Sequence, residues 1–153
     1  MADEFGPISI EIQGMDRLLE KLEPELWQKR VEDLLRTMTL VVEREARIRA
    51  PVDTGRLRGS ITSTVQPLLA TVTALVDYAA YVEFGTRPHW PPPGALAGWA
   101  GRHGIPEFLV ARAIALHGTR PQPFMQPAAD LLAGQADGII DEAIAKIERE
   151  WQE

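Results

Sequence analysis

The first candidate for chemistry in this chain is Asp53-Thr54-Gly55, the triplet that carries the catalytic carboxylate of aspartic proteases. That chemistry needs two carboxylates sharing a proton in an enclosed apolar site, the second of which an identical subunit could supply. Here Arg56, Leu57 and Arg58 follow the triplet, and a guanidinium beside Asp53 would hold it ionised. The same residues also make a turn. Asp53 can hydrogen-bond the backbone ahead of it and Gly55 can take φ > 0, so the chain can reverse there. The turn reading is preferred, and it expects Asp53 to accept hydrogen bonds from backbone amides at or near Gly55 and Arg56.

Other constellations are thinner. His89, His103 and His117 recur at intervals of fourteen, without a helical relation and without Asp or Glu beside them. A zinc site needs ligands converging from defined elements, so solvent-facing or hydrogen-bonded histidines are the expectation. Ser60, His89 and Asp77 could form a triad only on paper, since the chain has no Gly-x-Ser-x-Gly elbow. It has neither phosphate-binding glycine motif, Gly-x-x-x-x-Gly-Lys or Gly-x-Gly-x-x-Gly. No catalytic residue, cofactor or metal is expected.

The elements that must position Asp53 are legible around it. From Pro24 to about Arg49, Trp27, Val31, Leu34, Leu35, Met38, Val41, Val42 and Ala46 recur at steps of three and four, the stripe of a long amphipathic helix. Pro51 lacks an amide donor and restrains Ala50, so that helix should end near Arg49. Beyond the corner, residues 57–65 and 70–76 are rich in Thr, Val and Ile, and predict a β-hairpin with a longer loop at 66–69. Ala70, Val72, Ala74 and Val76 share one face of its second strand and should meet the long helix. Upstream, Ile8, Ile10 and Ile12 alternate with polar residues as in a short strand, and Met15, Leu18, Leu19 and Leu22 suggest a helix before Pro24. Downstream, 78–84 predicts one or two helical turns stopped by Gly85.

Residues 86–93 carry Pro88, Pro91, Pro92 and Pro93 around Trp90 and predict a loop or arm. Short helices follow at 94–102 and 106–117. A last helix starts at Phe124 or Met125, with Pro127 in its first turn and an apolar series from Leu131 to Trp151. The order predicts an α+β fold: a small antiparallel sheet, the N-terminal strand plus a hairpin, packed against the long helix and the C-terminal helix. The chain reads as a single domain over 1–153, with 86–120 as an extended loop or short-helix insertion.

Composition bounds the partners. The 153 residues carry a net charge of −6, which argues against gripping nucleic acid with the whole molecule, although Arg44, Arg47, Arg49, Arg56 and Arg58 gather near the corner. The complete lack of cysteine fits a reducing cytosol. No signal peptide or membrane span is expected. Apolar matter in loops is the notable feature: Trp90 among prolines, and Phe124 between Pro123 and Pro127, either cover their own core or await another surface.

Three blocks carry a resemblance. Ala50-Pro51-Val52-Asp53-Thr54-Gly55-Arg56-Leu57-Arg58-x-Ser60-Ile61, then Tyr78-Ala79-x-Tyr81-Val82-Glu83-Phe84-Gly85-Thr86, then Pro121-x-Pro123-Phe124-Met125-x-Pro127-Ala128 resemble, in that order, the tail-completion or minor tail component family of long-tailed lambdoid-type bacteriophages. The opening 10–22 is also similar, and 90–118 resembles the longer-armed branch. The resemblance implies a non-enzymatic virion protein of the neck and tail region, assembled in the host cytoplasm. It implies a ring, commonly sixfold, that contacts neighbouring head-tail connector, tail terminator or tail tube proteins while DNA passes without sequence-specific binding. It makes Pro51, Asp53, Thr54, Gly55 and Arg56 shapers of the corner. Tyr81, Glu83 and Phe84 would secure the short helix, Phe124 would anchor the last one, and Tyr78, Gly85, Pro123 and Pro127 would be fold or contact residues. Arg87 and Trp90 are expected to offer a cation and an aromatic anchor to a neighbouring subunit, and an acidic ring wall would let DNA slide. A nucleic-acid-associated binding module is the alternative.

Overall fold

The computed structural model describes residues 8–12 and 24–150. The helix expected at 15–22 and the contact of Trp151 lie outside the described residues. Strand β1 (Ile8–Ile12) precedes helix α1 (Pro24–Arg49), the corner, a helical turn α2 (Arg56–Ser60) and the hairpin strands β2 (Ile61–Gln66) and β3 (Leu69–Ala74). Then come α3 (Ala79–Phe84), α4 (Ala97–His103), α5 (Glu107–His117) and the long α6 (Met125–Glu150). The sheet is antiparallel with order β1-β3-β2, which is the α+β arrangement expected.

The apolar stripe of α1 is buried at Val31, Leu35, Met38, Val42 and Ala46. It packs on α6 along one side and on β2 and β3 along another. Ala70, Val72 and Ala74 on β3 face the same core, as alternation requires, and Val76 packs against it from beyond the strand end. One main cluster joins Met38, Val42, Ala46, Leu57, Ile61, Val72, Phe124, Met125 and Leu132. Polar ties fix the register of helix on sheet: Arg47 donates through Nη2 to the Ile61 carbonyl at 2.6 Å, pairs with Glu43 at 2.9 Å, and Glu43 in turn accepts from the Ser63 hydroxyl.

Three boundaries around the corner and hairpin differ from expectation, and α4 starts at Ala97, three residues after the expected Gly94. Residues 56–60 are helical and the strand starts at Ile61, because the 55→59 backbone bond (Gly59 N to Gly55 O, 2.9 Å) closes a turn that drops Leu57 into the core. The hairpin loop is tight, since Gln66 pairs directly with Leu69. Pro67 takes the first central position and Leu68 the second at φ 67°, a place usually filled by glycine. Leu68 tolerates it because its side chain packs against Val31, Leu35 and Ala70. β3 also ends at Ala74, with Val76 and Asp77 outside the ladder.

The start of α6 is held from a distance. A helix leaves its first four amides without intrahelical acceptors. Here Glu83, only 3% exposed, takes three of them: Oε2 accepts from Phe124 N at 2.7 Å and Met125 N at 2.9 Å, and Oε1 from Gln126 N at 2.9 Å. The fourth position is Pro127, which has no amide hydrogen. The carboxylate also faces the positive end of the helix dipole. Glu83→Ala is therefore expected to destabilise the protein by about 3 kcal/mol, since it strands three amides near the core, and Glu83→Gln by less. Urea unfolding with an unchanged slope and a lowered midpoint would show it; midpoints equal to the wild type would remove Glu83 from this role.

Candidate assembly surface

The corner is built as punctuation. The Ala50 amide still reaches Ala46 O at 2.8 Å, and Gly55 adopts φ 81° to start α2. Asp53, however, makes no bond to the amides of Gly55 or Arg56, which corrects the expectation. Its carboxylate pairs with Arg102 of α4, through Nε to Oδ1 at 3.0 Å and through Nη2 to Oδ2. A planar guanidinium fits a carboxylate in two bonds, so this partner, forty-nine residues away, outcompetes a local turn. Pro51 is half-buried, while Val52, Asp53, Thr54 and Arg56 are exposed. An exposed aspartate paired with a guanidinium lacks the enclosed apolar setting that aspartyl chemistry requires.

The second feature is the stretch between the two halves of a backbone crossing. Gly85 and Gly118 both have positive φ, 70° and 69°. A Cβ at Gly85 would lie 2.4 Å from Thr119 O, and one at Gly118 would lie 2.0 Å from Thr86 O. Glycine at both positions lets the outgoing and returning chains touch. There Thr86 and Thr119 form an isolated antiparallel bridge, with 3.2 Å bonds in both directions and a 3.1 Å hydroxyl contact. Just beyond it, Gln122 N donates to Val82 O at 2.8 Å. Everything from Arg87 to His117 is thus an excursion from a pinned base.

That excursion is apolar and poorly covered. Ile105, Phe108, Leu109 and Leu116 are exposed at 40–62%, whereas Pro91, Ala100 and Ala111 are buried. Trp90 answers the open alternative: it meets Phe108 of the excursion itself, ring centroids 6.1 Å apart, and remains 57% exposed. Trp99 stacks on His103 at 4.1 Å. Phe124, by contrast, is fully buried and belongs to the core. Arg87 is exposed, and so are Tyr78, Tyr81, Phe84 and Pro123, while Pro127 is half-buried. Tyr81 and Phe84 are exposed on α3, and Glu83 is buried and caps α6. The histidines at 89, 103 and 117 are exposed, and among the described residues no three metal-ligating side chains converge.

Charge is segregated as well. Residues 86–120 hold four arginines against Glu107, a net of +3, which leaves −9 on the rest of a chain whose total is −6. This asymmetry could have been counted in the sequence. Whole-chain charge conceals it.

Residues 13–85 match a family described as "Bacteriophage HK97-gp10, putative tail-component". This segment is similar to that HK97-gp10 family. The match supports a phage head-tail or tail family, covers just under half of the chain, and ends at Gly85, just before the excursion. Neither a curated protein nor a solved structure matches the chain. Two of the three blocks quoted above lie within or end beside the HK97-gp10-like segment, and the Pro121-x-Pro123-Phe124 block lies outside it. The structure links them physically, because Glu83 within the segment caps the helix that Phe124 introduces.

Two outcomes follow for this region. Gly118→Ala should cost at least about 2 kcal/mol, since the new Cβ collides with the backbone and the positive φ is disfavoured; faster hydrogen exchange at the Thr86 and Thr119 amides would accompany it. Asp53 titrates below its ordinary value of 3.8. The hydrogen bond from Arg102 is the main cause, partial burial opposes it, and the charges of Arg102 and His103 reinforce it. A depressed carboxylate stabilises the fold above its unfolded pKa and ceases to do so as pH falls through the folded one. The corner-to-α4 pair should therefore hold at neutral pH and release only below about pH 4. Carboxyl NMR shifts of Asp53, with Arg102→Gln restoring the ordinary titration, would check this.

Proposed function

We propose that the protein is a structural component of the phage virion at the neck, where copies form a closed ring that joins the filled head to the tail and keeps the DNA channel continuous. The observation that carries this reading is the excursion: exposed aromatic and aliphatic side chains beyond a glycine-crossed, bridged base. Contiguous apolar surface of this kind marks places where another protein sits, and the HK97-gp10-like segment supports a tail-region role. Nothing in the site calls for catalysis. The corner and the base of the excursion are positioning devices, and Trp90 with Arg87 are contact residues. The sixfold order is the one the family resemblance implies. Neighbouring connector, terminator or tube proteins would cover the ring's two faces.

A second reading has one observation in its favour. The excursion's arginines and two tryptophans are a combination that grips nucleic acid, through phosphates and base stacking. In the ring reading the −9 remainder of the chain would line the channel and repel phosphate, so that DNA slides. The two readings separate on salt dependence. DNA affinity that falls steeply with added salt belongs to the binding module.

Mass measurement of the purified protein beside Trp90→Ala tests the ring. Wild type is expected to assemble and the variant to assemble more weakly by about 2 kcal/mol per contact, as for an aromatic anchor. Identical assembly by both proteins would count against Trp90 as a contact, and a wild type that stays monomeric at high concentration would count against self-assembly.

A further inference from the structure

The exposed face of α5 and the exposed face of the second half of α6 are complementary in a way that neither serves within one chain. On α5, Phe108, Arg112 and Leu116 follow at steps of four with Leu109 beside them, all exposed. Residues at that spacing lie on one side of a helix. The pattern is a cation framed by apolar side chains, and no ion pair engages Arg112 among the described residues. On α6, Asp137, Asp141, Ile144 and Glu148 are exposed at steps of four, three and four. That pattern is the inverse, an apolar side chain framed by carboxylates, with Ile144 49% exposed. The like charges of Asp137 and Asp141, four apart, repel each other in the isolated chain. The α6 stretch, about 16 Å from Asp137 to Glu148 at the helical rise, is long enough to span the α5 stretch, about 12 Å from Phe108 to Leu116.

We infer that α5 of one copy docks on the Asp137–Asp141–Ile144–Glu148 face of α6 of a second copy, with Arg112 between the carboxylates and Ile144 among the apolar side chains of α5. The inference rests on the self-assembly proposed above and names the surface that assembly uses. The segregation of +3 on residues 86–120 from −9 elsewhere orients the encounter the same way. Because the two faces differ, the contact is head-to-tail, the type that repeats around a ring when its rotation closes. A DNA duplex would satisfy Arg112 but would leave the carboxylate-framed Ile144 face unused. The second copy accounts for both.

Charge exchange tests this by sedimentation velocity and native mass spectrometry. Arg112→Glu and Asp141→Arg should each weaken self-association by at least about tenfold, and the double variant should recover it. An equimolar mixture of the two single variants should also assemble, in alternation. Both positions are exposed, so circular dichroism should be unchanged; Arg112→Gln and Asp141→Asn supply milder versions if a reversal perturbs folding. Single variants that assemble like wild type, or a double variant as impaired as either single, would overturn this interface while leaving ring formation standing. A wild type that never self-associates would overturn both. Loss of affinity for a DNA duplex in Arg112→Glu with self-association intact would assign the α5 face to nucleic acid instead.

Discussion

A single buried carboxylate fixes where the C-terminal helix α6 begins. Glu83 lies in the last turn of the short helix α3 and, across forty-one to forty-three residues, accepts hydrogen bonds from the amides of Phe124, Met125 and Gln126. Helix N-termini usually find their acceptor in the residue next door, a serine, threonine or aspartate. Here the cap comes from far away, and Pro127 removes the one amide that Glu83 could not reach. With the helix start fixed, Phe124 and Met125 are pressed into the cluster that α1, β3 and α2 share, and the long α6 is aimed along α1.

The same junction sets the excursion. Once Glu83 has been joined to Phe124, the chain between them must leave and come back to nearly one point. Two glycines permit the crossing, and two threonines bridge it. Closing so long a loop costs only slowly increasing entropy with length, and α4 and α5 recover part of it by packing on each other. The Asp53–Arg102 pair adds a second tether, from the corner to α4. As an exposed ion pair it contributes little to stability, so its weight lies in where it places α4 relative to the corner. A pinned base and a weak outer tether present the apolar face of the excursion outward.

This arrangement separates two roles that the motif blocks mix. Pro51, Gly55, Glu83, Gly85, Phe124 and Pro127 serve the fold: they end helices, permit a crossing, fill the core or cap. Arg87, Trp90 and the exposed side chains of α5 face solvent and are the contact candidates. Tyr81 and Phe84, placed among helix-securing residues by resemblance, lie on the exposed side of α3. Asp53 belongs to neither the catalytic reading nor the simple turn.

Local pattern alone determined most of the elements. The stripe from Val31 to Ala46, the break at Pro51, the alternation of Ala70, Val72 and Ala74, and the stop at Gly85 each depend on neighbours within a few residues, so periodicity and backbone restriction suffice to read them. Residues 56–60 escaped because a five-residue turn is too short to show a period, and the tight Pro67-Leu68 turn because its positive φ is sustained by packing on Val31 and Leu35. Tertiary structure decided the partners of the charged side chains. Glu83 and Asp53 each find nitrogen donors more than forty residues away, and no spacing rule encodes a pairing set by how the whole chain folds back. It also decided which aromatic is core and which is surface: Phe124 and Trp90 both stand among prolines, and only the cap that draws Phe124 inward, with the crossing that sends Trp90 outward, tells them apart.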